Sequence, residues 1–136
     1  YTLKNRKAVH MLVSFERFNP GDGPIYQQII LYIKREISAG NIINADEMPS
    51  RRVLSSLLGV NPNTVQKAYK MLEDEGIIQS HSGAKSIIVT NEETKIKIRN
   101  ELIEGDAKNA VMLLKQMGLS KEYAFELINR LWEEED

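Results

Sequence analysis

The spacing of apolar residues predicts helices over most of the first two thirds of the chain. Between a turn-rich stretch at 19–24 and Gly40, apolar side chains recur at intervals of three and four, which is typical of an amphipathic helix with a glycine stop. These apolar positions are Tyr26, Ile29, Ile30, Ile33 and Ile37. The stretch that follows, 41–49, is expected to be an irregular link.

Two further helices are predicted close together. Ser50 is placed to cap the first helix, which Gly59 ends. The inner face of this helix is assigned to Val53, Leu54, Leu57 and Leu58. Asn61 caps the second helix, and Pro62 follows at the first helical position, where its fixed φ suits a helix. The apolar period of the second helix continues through Val65, Ala68, Tyr69 and Leu72 to Gly76.

A hairpin is predicted after the second of these helices. The β-branched segments 77–79 and 86–89 flank a glycine-containing loop at 81–85. Two helices joined by a short turn form a helix-turn-helix, and a following hairpin adds a wing. We therefore predict a mostly α fold with a small β-hairpin, in which residues 24–90 form a winged helix-turn-helix domain.

Residues 91–136 are predicted to form a helical tail. A charged helix over 92–104 is expected to end at Gly105, Asp106 to cap a second helix that Gly118 stops, and Ser120 to cap a third. The tail contains more large apolar residues than short helices can bury among themselves. They include Met112, Met117, Tyr123, Phe125, Leu131 and Trp132, and the dimerisation surface is also assigned Ile96 and Ile103. Three explanations of these apolar residues are ranked in order: a second copy of the chain covers them, they pack back onto the domain, or they line a small ligand pocket.

Residues 1–23 are expected to form a leader ahead of the domain. The segment Tyr1–His10 has no clear periodicity and directly precedes Met11. We interpret this segment as a remnant of vector-derived sequence, with the native chain starting at Met11.

Composition excludes several classes of site. The 136 residues fit one ordinary domain with a small appendage, and the absence of cysteine removes disulfides and thiolate metal sites. Only His10 and His81 offer an imidazole, and they lie in unrelated contexts. We therefore predict no cofactor and no enzymatic activity. No apolar run is long enough to span a membrane and no signal peptide is evident, so a soluble, cytoplasmic protein is expected.

The charge is concentrated in the tail. The formal net charge is −1, and residues 91–136 contain seven basic and eleven acidic side chains. Domains that bind nucleic acid through bulk charge have a strongly basic pI, whereas the pI here is about 6.2. Any DNA-binding face must therefore be a local basic patch. The same charge favours an alternative, a winged-helix protein-interaction module that does not bind DNA.

Several motifs between residues 24 and 89 occur in one order with regular gaps. They are Pro24-Ile25-Tyr26-Gln27-Gln28-Ile29, Met48-Pro49-Ser50-Arg51-Arg52-Val53-Leu54, Gly59-Val60-Asn61-Pro62-Asn63-Thr64-Val65 and Glu75-Gly76-Ile77-Ile78. In this order they resemble the GntR-type transcriptional regulators, and the length of the tail is similar to that of the short-tailed YtrA-like branch. The resemblance implies a sequence-specific regulator, a homodimeric repressor on double-stranded operator DNA. It also suggests control of a transporter operon and leaves room for a small-molecule effector.

The candidate DNA contacts begin at the two helix starts. Short polar residues at the N-terminus of a recognition helix reach base edges in the major groove, as expected of Asn61, Asn63, Thr64 and Lys67. Ser50 is placed to approach a phosphate at a helix N-terminus. Ser50 and Asn61 are also caps, each worth about 1 kcal/mol, and both roles are compatible.

Cationic and wing residues complete the candidate site. The resemblance implies that Arg52, in the Ser-x-Arg segment, grips guanine or phosphate, with Arg51 beside it as a weaker candidate. Gln66, Lys67 and Lys70 are assigned to the DNA backbone, although Lys70 fits an ordinary surface position equally well. The wing candidates are His81, Gly83 and Lys85.

Overall fold

The computed structural model describes residues 9–81 and 85–134. Within these residues the chain forms helices and short strands. The first element is a helix, and the last two elements are also helices. The elements are α1 (Ile25–Ser38), β1 (Glu47–Met48), α2 (Arg51–Leu58), α3 (Pro62–Asp74), β2 (Ile78–Ser80), β3 (Ser86–Ile88), α4 (Glu92–Gln116) and α5 (Lys121–Glu134).

The core lies mainly between α1 and α3. Their predicted apolar faces are confirmed, because both helices bury residues at the expected spacing, and only Tyr26 and Ile30 of the predicted set are half-buried. The fully buried members are Ile29, Ile33, Ile37, Val65, Ala68, Tyr69 and Leu72. Gly40 and Gly59 follow α1 and α2 with φ of 83° and 66°, a conformation that favours glycine and allows the chain to leave the helix.

The inner face predicted for α2 is wrong at two positions. Leu54 is fully buried, but Val53 is 52% exposed and Leu57 is 64% exposed. A helix of eight residues contacts α3 along only a narrow stripe, and Ser55 shares that stripe by donating a hydrogen bond to the Val60 carbonyl over 2.6 Å.

The wing is a three-stranded antiparallel sheet rather than a hairpin alone. The strand order is β1-β3-β2, with Glu47 opposite Ile87 and Ile78 opposite Ile88. The interpretation of 41–49 as an irregular link is therefore wrong for β1. A two-residue strand carries too little period-2 pattern to stand out in a sequence, since its pairing with β3 is what defines it.

The chain ahead of α1 packs against the domain. Leu12 forms a parallel bridge with Glu47, and Val13 and Phe15 are buried. The Phe15 ring stacks on that of Tyr32 at 5.0 Å, and the Tyr32 hydroxyl donates a hydrogen bond to the Ser14 carbonyl over 2.8 Å. The described part of the leader thus belongs to the same compact unit as α1. Most of the segment interpreted as vector-derived, residues 1–8, lies outside the described residues.

The described part of the tail, residues 91–134, contains two helices, not three. The predicted break at Gly105 is wrong, because α4 continues through it from Glu92 to Gln116 and Asp106 lies within the helix. A glycine inside a helix costs about 1 kcal/mol relative to alanine, which neighbouring helix-forming residues offset. The predicted stop at Gly118 and start at Ser120 are confirmed, since Gly118 has a φ of 75° and Ser120 Oγ accepts from the Tyr123 amide.

The chain divides into two compact units, one ending at Arg99 and the other starting at Asn100. None of the helices in the described residues is long and apolar enough to cross a membrane.

Candidate nucleic-acid interface

The recognition helix α3 has one buried face and one polar face. Asn61 caps it as predicted, because its Oδ1 accepts a hydrogen bond from the Asn63 amide over 2.8 Å. Asn61 and Asn63 are exposed, and Thr64 is half-buried beside them. Since these polar groups stand at the start of α3, they have the reach and chemistry to contact base edges.

Arg51 lies against the core. Its guanidinium carbon is 5.0 Å from the centre of the Tyr69 ring, and its Nε is enclosed with no hydrogen-bond partner in the described residues. The Tyr69 hydroxyl in turn donates to the Pro49 carbonyl over 2.6 Å. Burial raises the pKa of Tyr69 well above its ordinary value, and the Arg51 charge opposes this only partly. The side chain of Arg51, the first residue of α2, is thereby held against Tyr69 of α3.

Ser50 has a hydrogen-bond partner within the protein, whereas the Arg52 side chain is exposed. Ser50 is engaged as a cap, since its Oγ accepts from the Val53 amide over 3.1 Å. Arg52 is exposed and forms no ion pair within the described residues. The Arg52 guanidinium is therefore available to a ligand. Ser50, by contrast, marks the N-terminus of α2, and its hydroxyl is already used as the cap.

The cations of α3 have different neighbours. Lys67 Nζ lies 4.0 Å from the centre of the Tyr26 ring on α1. Lys70 Nζ lies 3.6 Å from an oxygen of Asp74, one turn further along α3. Gln66, directly before Lys67, is exposed. An acidic neighbour reduces the charge that Lys70 presents, whereas an aromatic ring does not neutralise Lys67.

The wing presents a paired cation. Lys85 Nζ is 3.7 Å from an oxygen of Glu47 on β1, and the backbone amide of His81 donates to the Lys85 carbonyl over 2.9 Å. His81 is exposed. Gly83 lies outside the described residues.

The residues assigned to dimerisation are on the surface of their own units. Ile96 is 53% and Ile103 50% exposed. The larger apolar residues of the tail are also exposed, among them Met112, Met117, Tyr123, Phe125, Leu131 and Trp132. A cavity of about 340 Å³ between the end of α4 and α5 has walls formed by residues such as Leu114, Phe125 and Ile128.

A helix-turn-helix with a polar recognition helix and a three-stranded wing defines a winged helix-turn-helix protein. The family model described as bacterial regulatory proteins, gntR family, matches residues 25–88. The chain is 38% identical to the HTH-type transcriptional repressor YtrA of Bacillus subtilis over 110 residues, 81% of this chain and 80% of YtrA. It is 32% identical to the uncharacterized HTH-type transcriptional regulator YhcF of the same species, over 81% of this chain and 91% of YhcF.

A solved structure agrees with these relatives. A GntR family transcriptional regulator from Listeria monocytogenes superposes with a TM-score of 0.68 and 28% identity, over 82% of this chain and 98% of that chain. The chain belongs to the GntR family of bacterial regulatory proteins. The resemblance and the mostly helical winged fold predicted from the sequence are confirmed. The family and these relatives are transcription regulators rather than enzymes.

Sequence reasoning missed two contributors to this surface. The apolar spacing predicts that Tyr26 lies on the core face of α1, yet its ring faces Lys67. Glu47 falls in the predicted irregular link, yet it pairs with Lys85. No pattern within one helix signals a contact between α1 and α3. The strand carrying Glu47 is visible only through its pairing with β3.

Proposed function

We propose that this protein is a sequence-specific DNA-binding repressor that acts as a homodimer on a two-fold operator. The observation that carries the proposal is the exposed polar start of α3, opposite a face that is fully buried in the core. In the proposed mechanism α3 enters the major groove, where Asn61, Asn63 and Thr64 meet base edges. Half-sites then lie about one helical turn apart.

Cations around α3 supply affinity and one specific contact. Arg52 grips guanine or phosphate, since its guanidinium is exposed and forms bidentate bonds readily. Lys67 and Lys85 contact the DNA backbone, where their charge adds affinity but no sequence specificity. Ser50 brings the start of α2 to a phosphate.

The tail, residues 91–136, forms the dimer in this proposal. Trp132 and Met117 are 76% and 79% exposed within their unit, and a two-fold partner would remove such apolar surface from water. A change in the tail, for example on binding of a small effector, would alter the spacing of the two DNA-binding units. The regulated operon, by the family resemblance, encodes a transporter.

The experiment that tests the function is a DNA titration. The purified chain is mixed with the DNA upstream of its own operon and with a scrambled duplex, at two salt concentrations. Tight binding to the upstream DNA alone, weakening steeply with salt, supports the proposal. Weak affinity that is equal for both duplexes and does not change with salt supports the protein-interaction module instead. The pI of about 6.2 favours that alternative.

Arg52→Ala tests the specific contact. We expect a loss of about 1 to 3 kcal/mol, concentrated at one base position, because a bidentate guanidinium contact is lost. The matched control is Arg99→Ala, which removes an exposed arginine from α4. If Arg52→Ala bound the operator as tightly as the parent, the assignment of Arg52 would be withdrawn.

Size exclusion with light scattering tests the dimer. The chain has a mass of 15.5 kDa, so a dimer should elute at twice that mass at micromolar concentration. Trp132→Glu places a charge in the proposed interface and should shift the protein to monomer. Elution of the parent as monomer alone would contradict this part of the proposal.

A further inference from the structure

The Tyr26 ring and the Lys67 ammonium join the first turn of α1 to the exposed face of the recognition helix. Lys67 Nζ lies 4.0 Å from the ring centre, well within the range of a cation–π contact. Lys67 is exposed and Tyr26 is half-buried, so the ring is anchored while the ammonium stays at the surface. The Gln27 side chain donates a hydrogen bond to the Tyr26 hydroxyl over 3.1 Å, and this exposed bond is separate from the ring face that holds Lys67.

We propose that Tyr26 is a positioning residue of the DNA-binding surface, which holds the Lys67 ammonium in place for a backbone phosphate. This inference rests on the proposed function, since it assigns a partner to a residue of the same face. Tyr26 itself need not touch DNA.

A ring suits this task better than a carboxylate. An ion pair fixes a lysine but cancels much of its charge, as in the contact of Lys70 with Asp74 on the same helix. The face of an aromatic ring attracts the ammonium through its quadrupole and carries no net charge. Lys67 is therefore held in position with its full positive charge directed at a ligand.

Preorganisation is the expected gain. A lysine has a long, freely rotating stem, and fixing it on a phosphate costs rotamer entropy at the moment of binding. Where the ring already restricts the stem, less of that entropy is lost on DNA. Removing the ring should weaken binding about two- to fivefold, which corresponds to an exposed cation–π contact.

The test compares four variants with the parent on the upstream DNA over a range of salt. Lys67→Met should lower the slope of log affinity against log salt by about 0.9, because one phosphate contact is lost. Tyr26→Leu should weaken binding about two- to fivefold. Tyr26→Phe keeps the ring face and should match the parent. In the double variant Tyr26→Leu/Lys67→Met, the loss of the ring should have no further effect.

A second measurement reads the contact without DNA. The ε-methylene protons of Lys67 should show an upfield ring-current shift in the NMR spectrum of the full chain, retained in Tyr26→Phe and abolished in Tyr26→Leu. Lys97→Met, which removes an exposed lysine of α4, is the control for general loss of charge. Thermal unfolding of each variant separates a loss of fold from a loss of contact.

The outcomes distinguish this inference from the proposed function. Specific binding by the parent with no effect of Lys67→Met would overturn the role of the pair and leave the regulator intact. Additive losses in the double variant, or a loss in Tyr26→Phe equal to that in Tyr26→Leu, would show that Tyr26 acts independently of Lys67 and overturn the inference. Absence of any DNA binding by the parent would remove both.

Discussion

The Tyr69 hydroxyl donates a 2.6 Å hydrogen bond to the carbonyl of Pro49, which joins the middle of α3 to the residue pair that precedes α2. Both residues are buried, and the Tyr69 ring also carries the Arg51 guanidinium. A single side chain thus fixes the two halves of the helix-turn-helix relative to each other and keeps Arg51 at the start of α2.

Tyr69→Phe should destabilise the fold by about 1 to 3 kcal/mol, because the buried Pro49 carbonyl loses its donor while the ring remains. Urea unfolding followed by circular dichroism measures the change. The matched control is Tyr123→Phe, since Tyr123 is 53% exposed and its hydroxyl can bond water. Equal stability of the parent and Tyr69→Phe would mean that the bond to Pro49 contributes nothing net.

Stability should also fall at alkaline pH through the same residue. Burial raises the pKa of Tyr69 above its ordinary value of 10.0, so the unfolded chain releases this proton before the folded chain does. The contribution of the protonated Tyr69 hydroxyl to the free energy of unfolding is therefore complete below pH 10 and is lost as the pH rises above it. Unfolding curves from about pH 9 to about pH 11 should show a steeper decline for the parent than for Tyr69→Phe. Parallel declines would contradict the assignment.

A buried carboxylate ties the N-terminal segment to the wing. The oxygens of Asp46 accept hydrogen bonds from the backbone amides of Met11 and Ile43, each over 2.9 Å. Asp46→Ala should lower the free energy of unfolding by about 3 kcal/mol, since two backbone amides lose a buried, charged acceptor. Asp22→Ala, at an exposed turn position, should change the free energy of unfolding by less than about 0.5 kcal/mol. Similar effects of the two substitutions would show that Asp46 does not tie down the segment.

Ala45 occupies a backbone conformation that suits glycine. Its φ is 73°, and its amide donates to the Ile88 carbonyl over 2.8 Å, so the sheet holds it there. An L side chain in this region costs about 1 to 2 kcal/mol. Ala45→Gly should therefore raise the stability by about 0.5 to 1 kcal/mol after the entropy cost of glycine. Ala39→Gly, at a φ of −77°, should instead lower it, and a stability loss in both variants would refute the strain at Ala45.

The sequence predicted the elements whose signals are local. The apolar periods of α1 and α3, and the caps at Ser50, Asn61 and Ser120, all depend on residues within one turn of one another. The N-terminal segment carries a short signal of the same kind, since the apolar Val13 and Phe15 are buried on either side of the polar, exposed Ser14.

Features that depend on distant partners could not be read in this way. Val53 and Leu57 have the right spacing for a core face, but only the position of α3 decides which side of α2 is covered. Gly105 looks like a helix stop, yet the residues around it favour helix strongly enough to continue α4. The Tyr26 contact with Lys67 joins residues 41 positions apart, so neither residue signals the other.

The ion pair between Lys85 and Glu47 reduces the positive charge that the wing presents to a ligand. Lys85 Nζ is 3.7 Å from the carboxylate, and both side chains are accessible to solvent, with exposures of 69% and 41%. Glu47→Gln keeps the shape and removes the competing charge, so Lys85 becomes more available to a phosphate. We expect the DNA affinity to rise about two- to threefold at low salt, with a slightly steeper salt dependence. Glu104→Gln releases Lys108 from an equivalent pair on α4 and should leave the affinity unchanged. A similar gain in both variants would reflect net charge alone, and a loss in Glu47→Gln would show that the pair holds the wing in its binding geometry.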